Sequence, residues 1–156
     1  MNRTPFWIDE YVRWSDVDHA GIIFYGAYVR FFEIAETELF RMAGVPYGEV
    51  FDRLGIWLPR VHLSCDFMNP AHLDDRLRVA AYVARFGRSS IELRFDVLHV
   101  DLGTLAATGV EVLVCTDRQS MGSVPIPGEL REALEPHVWT REAARSGLGV
   151  VGKGAS

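Results

Sequence analysis

LRVAAYVARFGRSSIELRFDVLHVDLGTLAATGVEVLVCTD, residues 77–117, decides the fold class. Ile91, Leu93, Phe95 and Val97 alternate with Glu92, Arg94 and Asp96. Leu77, Val79, Ala81 and Val83 alternate with Arg78, Ala80, Tyr82 and Ala84. A period of two sends successive side chains to opposite faces of a strand. Gly87 to Ser90 and Asp101 to Gly103 interrupt the pattern with turn residues. The stretch therefore predicts strands over 77–86, 91–100 and 104–117, joined as an antiparallel meander. Gly109 predicts a bulge in the third.

Upstream, WLPRVHLSCDFMNP (57–70) reads as another strand, closed by Pro70, and FWIDEYVRW (6–14) as the first. Between them the period changes. From Ala27 to Ala43, Tyr28, Phe31, Phe32, Ala35, Leu39, Met42 and Ala43 recur at spacings of three and four. Arg30, Glu33, Thr37 and Arg41 take other positions. This predicts one long amphipathic helix, with Gly26 at its start and Gly44 as its stop. Short helices are predicted over 46–55, ended by Gly55, and over 125–135. One helix covers one face of a five-stranded sheet, so the sheet must curl around it in an α+β layer arrangement. The Gly-rich end SGLGVVGKGAS (146–156) predicts fraying. The single domain is placed at 1–137, with a partly flexible tail over 138–156.

The chain has 156 residues, which suits one domain, and 49% hydrophobic against 24% charged residues excludes wholesale disorder. Its net charge, 16 − 21 = −5, argues against nucleic acid as a partner. Cys65 and Cys115 lie in apolar strand-like runs and read as reduced thiols. No run approaches the roughly 18 apolar residues of a membrane span, and the N-terminal residues lack a signal-peptide pattern. A soluble cytoplasmic protein is the expectation.

The densest polar constellation is Ser15-Asp16-Val17-Asp18-His19, followed by Ala20 to Tyr25, between the first strand and the helix. A helix N-terminus offers unpaired N–H groups that polarise a carbonyl and stabilise a developing oxyanion. A nearby carboxylate can attack or act as a general base. Gly26 would let a substrate approach the backbone. Each residue also has a plainer reading. Asp16 and Asp18 can be turn-formers, His19 a solvated turn residue and Tyr25 a packed aromatic. Asp-x-Asp-His lacks a second ligand cluster, so no metal is expected. Gly87-Arg88-Ser89-Ser90 offers a cation and two hydroxyls suited to phosphate, or simply a hairpin. No G-x-S-x-G elbow, phosphate-binding loop or dinucleotide fingerprint is present.

At VRWSDVDHAGIIFYGAYVRFFEIAETELF (12–40) the sequence resembles the hotdog-fold acyl-CoA thioesterases, and most nearly their 4-hydroxybenzoyl-CoA thioesterase branch. Arg13, Asp16, Asp18, Gly21, Ile22, Ile23, Phe24, Tyr25, Tyr28 and Glu33 carry the pattern. CDFMNPAHLDDRLRV (65–79) and RFGRSSIELRFDV (85–97) continue it in order. The resemblance implies a long central helix wrapped by a curved antiparallel sheet. It also implies a homodimer or homotetramer with active sites between subunits. It assigns Asp18 as the catalytic carboxylate, acting as nucleophile or as general base toward water. Tyr25 stands where the YbgC-like branch carries His, and Trp14 where that branch has Tyr. Arg88, Ser89 and Ser90 fall where members hold coenzyme A; Ser89 replaces a basic residue there, and Arg85 is the nearest substitute cation.

The resulting expectation is a thioester hydrolase that cleaves acyl-CoA to a carboxylate and free coenzyme A, with no cofactor or metal. Asp18 and Tyr25 are its catalytic candidates. Gly26, Tyr28, Trp57, Arg88, Ser89 and Ser90 are its substrate-binding candidates. Phe24, Tyr25, Tyr28 and Trp57 favour an aryl group; Phe31 and Phe32 read as core. The alternatives are an aliphatic acyl-CoA or acyl-carrier-protein thioesterase, and a non-catalytic acyl-CoA-binding hotdog. The protein's acidity disfavours an acidic carrier. A hotdog dehydratase is set aside, because its His-containing helix-start motif is missing.

Overall fold

The structure is a computed structural model that describes residues 3–151. Strand β1 (Phe6–Tyr11) leads through a loop into helix α1 (Ala27–Met42). Helix α2 (Tyr47–Leu54) and the short strand β2 (Ile56–Trp57) follow. Then come β3 (Arg60–Phe67), β4 (Arg76–Phe86), β5 (Ser90–His99), β6 (Thr104–Val114) and β7 (Thr116–Asp117). Helices α3 (Gly128–Leu134) and α4 (Arg141–Leu148) complete the order. Five strands form one antiparallel sheet in the order β1-β4-β5-β6-β3, and β2 pairs with β7 apart from it. The meander β4-β5-β6 follows the alternation. The outer places go to β1 and β3, so β3 lies beside β6 and not beside its neighbour in sequence.

Helix α1 runs across the inner face of the sheet, the hotdog arrangement. Tyr28, Phe31, Phe32, Ala35, Leu39 and Phe40 are buried on it. They meet Leu77, Val79, Ala81, Val83, Ile91, Leu93, Phe95 and Val97 of the sheet in one core. Burying each large apolar side chain contributes about 1.5–3 kcal/mol, so this contact holds the fold. Phe32 stacks on Phe95 at 4.6 Å. Gly109 lies directly across from them. It pairs in regular register with Cys65 and Phe95, so there is no bulge at this residue. A Cβ there would overlap the Phe32 ring. The glycine makes room for an aromatic and does not bend the strand. Cys65 and Cys115 are both free, and burial pushes each thiol up to about 11.

Part of the outer sheet face is covered. Ala80, Tyr82 and Asp96 are buried there. The reason is α4, whose Arg145 donates to Asp96 at 3.2 Å and pairs with it at 3.1 Å. Tyr82 Oη (2.8 Å) and Thr108 Oγ1 (3.1 Å) also donate to that carboxylate. Thr140 caps α4 by accepting the Ala143 N–H, and Trp139 N–H donates to the Val83 C=O. Of the tail 138–156, residues 138–151 include α4 and these contacts to the sheet; residues 152–156 lie outside the described residues. Among the described residues no helix is long and apolar enough to cross a membrane.

Candidate active site

The loop between β1 and α1 folds back on itself. Val17 and Ile23 bridge antiparallel, and Asp18 N–H donates to the Ile22 C=O at 2.9 Å. Asp16 anchors it. Asp16 is 2% exposed, and its carboxylate accepts the Arg13 N–H at 2.8 Å and the Arg30 guanidinium at 3.1 and 2.6 Å. Because Arg30 belongs to α1, this pair fastens the loop to the helix. On the other side, Ile23 N–H donates to the Ala71 C=O at 2.8 Å.

Within this braced loop Asp18 is exposed. Its Oδ1 accepts the Ala20 N–H at 2.8 Å, and Oδ2 has no donor among the described residues. The turn-forming reading of Asp18 therefore holds for Oδ1, while Oδ2 is left open. Asp18 and His19 share a cleft of about 440 Å³ with Trp14, Val17, Gly21 and Leu73. Tyr25, 78% exposed, opens onto a second cleft of about 320 Å³ with Tyr28, Phe67, Met68 and Asn69. The Tyr28 ring lies 5.6 Å from that of Phe67. Burial first, and Cys65 second, pushes the Tyr28 hydroxyl up to about 12, so it stays a neutral donor at neutral pH.

The start of α1 is more specific than the sequence suggests. Ala27, Tyr28 and Val29 N–H groups donate to Phe24, Tyr25 and Gly26 carbonyls at 3.0, 3.4 and 3.3 Å. Tyr25 and Gly26 N–H groups have no carbonyl acceptor among the described residues. They are the donors left to polarise a carbonyl. The Phe24 ring covers Gly26, where a Cβ would come within 2.7 Å of Cε2. The glycine thus accommodates Phe24, and a substrate must reach the backbone past that ring.

The remaining predicted residues lie elsewhere. Arg88 is exposed and Ser89 and Ser90 half-buried in the β4–β5 hairpin, whose Arg88 and Ser89 carbonyls accept the Ile126 and Cys115 N–H groups. Trp57 sits on β2, with Arg118 4.3 Å over its ring and Phe51 edge-on at 5.3 Å. Eleven-residue β4 separates this end of the sheet from the Asp18 loop, roughly 33 Å at about 3.3 Å per residue. One chain does not bring Trp57, Arg88, Ser89 and Ser90 to Asp18. Phe67, Met68 and Asn69 were not singled out as site residues. Their signal was the aromatic-x-x-Pro stretch FMNP. Also missed was a polar cluster of Glu36, Tyr47, Arg60 and Glu111. Its signal was a charge on a buried face, Glu36 on the helix and Glu111 on β6. Among the described residues no group of three or more His, Cys, Asp or Glu is placed to hold a metal.

Residues 12–134 match the sequence model of the thioesterase-like superfamily. The 1,4-dihydroxy-2-naphthoyl-CoA hydrolase of Nostoc punctiforme is 24% identical over 133 residues, 85% of this chain and 88% of that one. The acyl-CoA thioester hydrolase YbgC of Escherichia coli O157:H7 is 25% identical over 132 residues, 81% of this chain and 93% of that one. A solved thioesterase-superfamily structure from Jannaschia sp. CCS1 superimposes with a TM-score of 0.78 at 28% identity, covering 87% of this chain and 94% of that one.

Proposed function

This chain belongs to the thioesterase-like superfamily, and from that premise we propose that it hydrolyses an acyl-CoA thioester, RCO–S–CoA, to a carboxylate and free coenzyme A. The observation that carries the assignment is Asp18, an exposed carboxylate with one oxygen held by Ala20 N–H and the other unengaged. It stands in the same braced loop as the two unspent N–H groups of Tyr25 and Gly26. In our reading these N–H groups bind the thioester oxygen as charge develops on it. Asp18 then either attacks the carbonyl carbon, giving an anhydride that water cleaves, or takes a proton from an attacking water. Thiolate leaves in either route and is protonated to the free thiol. Water is the only co-reactant. The aromatic lining at Tyr25, Tyr28 and Phe67 supports an aryl acyl group, 4-hydroxybenzoyl being the first to try.

The site is completed by a second copy. Strand β3 ends the sheet, and Val61, Leu63 and Phe67 are exposed on it. Adding a partner's β3 antiparallel about a two-fold axis sets the partner's Arg60 end against this chain's Phe67 end. That brings the partner's 87–90 hairpin, with its cation and hydroxyls, to the side of the Asp18 loop. In this arrangement one copy supplies the chemistry and the other holds the coenzyme A phosphates.

The test is thiol release from benzoyl, hydroxybenzoyl, phenylacetyl and aliphatic CoA esters by wild type and Asp18→Asn. The variant is expected to melt as wild type does and to lose at least about 100-fold in rate. Undiminished turnover would remove Asp18 from its role. No turnover of any ester by folded protein would favour a carrier-bound substrate or a binding function.

A further inference from the structure

A third cleft, of about 440 Å³, lies farther along α1, between the helix and the free edge of the sheet. Val29, Glu33, Glu36 and Thr37 line it from α1, Tyr47 from α2, Arg60 and Leu63 from β3, and Glu111 from β6. Glu36 is 1% exposed and Glu111 5%. Glu36 Oε1 accepts the Tyr47 hydroxyl at 2.7 Å and pairs with Arg60. Arg60 is shared further, donating to Tyr47 Oη at 3.1 Å and the Leu58 C=O at 3.0 Å. Glu36 Oε2 and Glu111 Oε2 are both buried with no hydrogen-bond donor. A buried carboxylate oxygen without a donor costs far more than one left in water. Three carboxylates face one guanidinium here, so the imbalance is in charge as well as in hydrogen bonds. Burial first holds the Glu111 carboxyl above its usual range, with Arg60 opposing and Glu33 adding to the shift.

We propose that this cleft is a binding subsite for an organic cation, a protonated amine or amidinium whose N–H groups donate to Glu36 Oε2 and Glu111 Oε2 while its apolar body lies against Val29 and Leu63. The charge balance favours a cation, because a neutral donor would leave any excess negative charge in place. The cation can be the far end of the acyl group or a separate amine. The acyl-borne form rests on the thioesterase assignment, since β3 pairing of two copies sets this cleft beside the partner's Asp18 loop; the free-amine form does not.

Calorimetric titration of the full chain with benzylamine, benzamidine and benzyl alcohol tests the subsite without any turnover. The two cations should bind and the alcohol should not. Glu111→Gln and Glu36→Gln, each shown by melting to be folded, should weaken the cations at least about tenfold. A second arm compares 4-(aminomethyl)benzoyl-CoA with 4-ethylbenzoyl-CoA. A higher kcat/KM for the amine, lost in Glu111→Gln, assigns the cation to the substrate. Equal values beside benzylamine binding assign it to a separate amine. Absence of cation binding, or binding undiminished in both variants, overturns the proposal. So does a Glu111→Gln variant that lowers dimer affinity while wild type binds no amine, because the carboxylates are then paired by the partner copy.

Discussion

Asp16 and Asp18 are two residues apart and have opposite surroundings. The Asp16 carboxylate is enclosed, spanned by Arg30 and held by the Arg13 N–H, whereas Asp18 spends one oxygen on its own turn. A group that accepts several charge-assisted hydrogen bonds fixes geometry; a group with a free lone pair can react. Asp16 is therefore a positioning residue. Asp16→Asn keeps the shape and one acceptor but loses the charge that holds Arg30. It should cost about 1–2 kcal/mol, the low part of the range for such bonds because Arg30 is more than a third exposed. As the loop loosens, kcat should fall by more than KM rises. Denaturant melts and steady-state kinetics of the purified variant check both. A variant that loses stability but keeps wild-type kcat would make the ion pair purely structural.

At the scale of elements, the joint between β1 and β4 carries a charge device that titrates. Asp9 on β1 accepts Arg78 Nε at 2.8 Å and Arg76 Nε at 3.2 Å from β4. The Arg78 hydrogen bond, aided by Arg76 and opposed by burial, holds its carboxyl below the ordinary value of 3.8. A depressed folded pKa means stabilisation that is complete above the unfolded value and disappears as pH falls through the folded one. Thermal melts from about pH 6 to about pH 2 should show wild type above Asp9→Asn at the upper end, with the gap closing in acid. Parallel curves would deny the linkage. Helices α1, α2 and α3 and the meander were legible in the sequence because their periods are local; α4, within the stretch read as a tail, was not. Nor was the buried outer face of β4 and β5. Asp96 is a proper solvent-face residue until Arg145, 49 positions later, comes to lie on it. Glu111 and Glu36 were only half legible for a related reason: periodicity names the face a charge points to, but not the cleft that lies there. Gly109 carried a signal whose cause was misassigned, since only the tertiary position of Phe32 shows why a side chain is excluded.

At the scale of the whole molecule, the site candidates were legible as residue types but not as a place. Asp18 and the hairpin 87–90 stand at opposite ends of an 11-residue strand. The proposed two-fold pairing through β3 would turn that separation into proximity between copies, and this makes a sharp prediction. On that proposal, Asp18→Asn protein lacks the reactive carboxylate at both sites of a dimer, and Arg88→Ala lacks the coenzyme A cation at both. In a mixed dimer, one site takes its carboxylate and its cation from the two damaged chains. The other takes both from intact positions. Unfolding and refolding an equal mixture should therefore restore roughly a quarter of wild-type activity at limiting substrate, half the dimers being mixed and half their sites intact. If each chain held a complete site, mixing would give only the average of the two variants. The recovered rate thus reports whether the catalytic unit is one chain or two, and it does so without any knowledge of the natural acyl group.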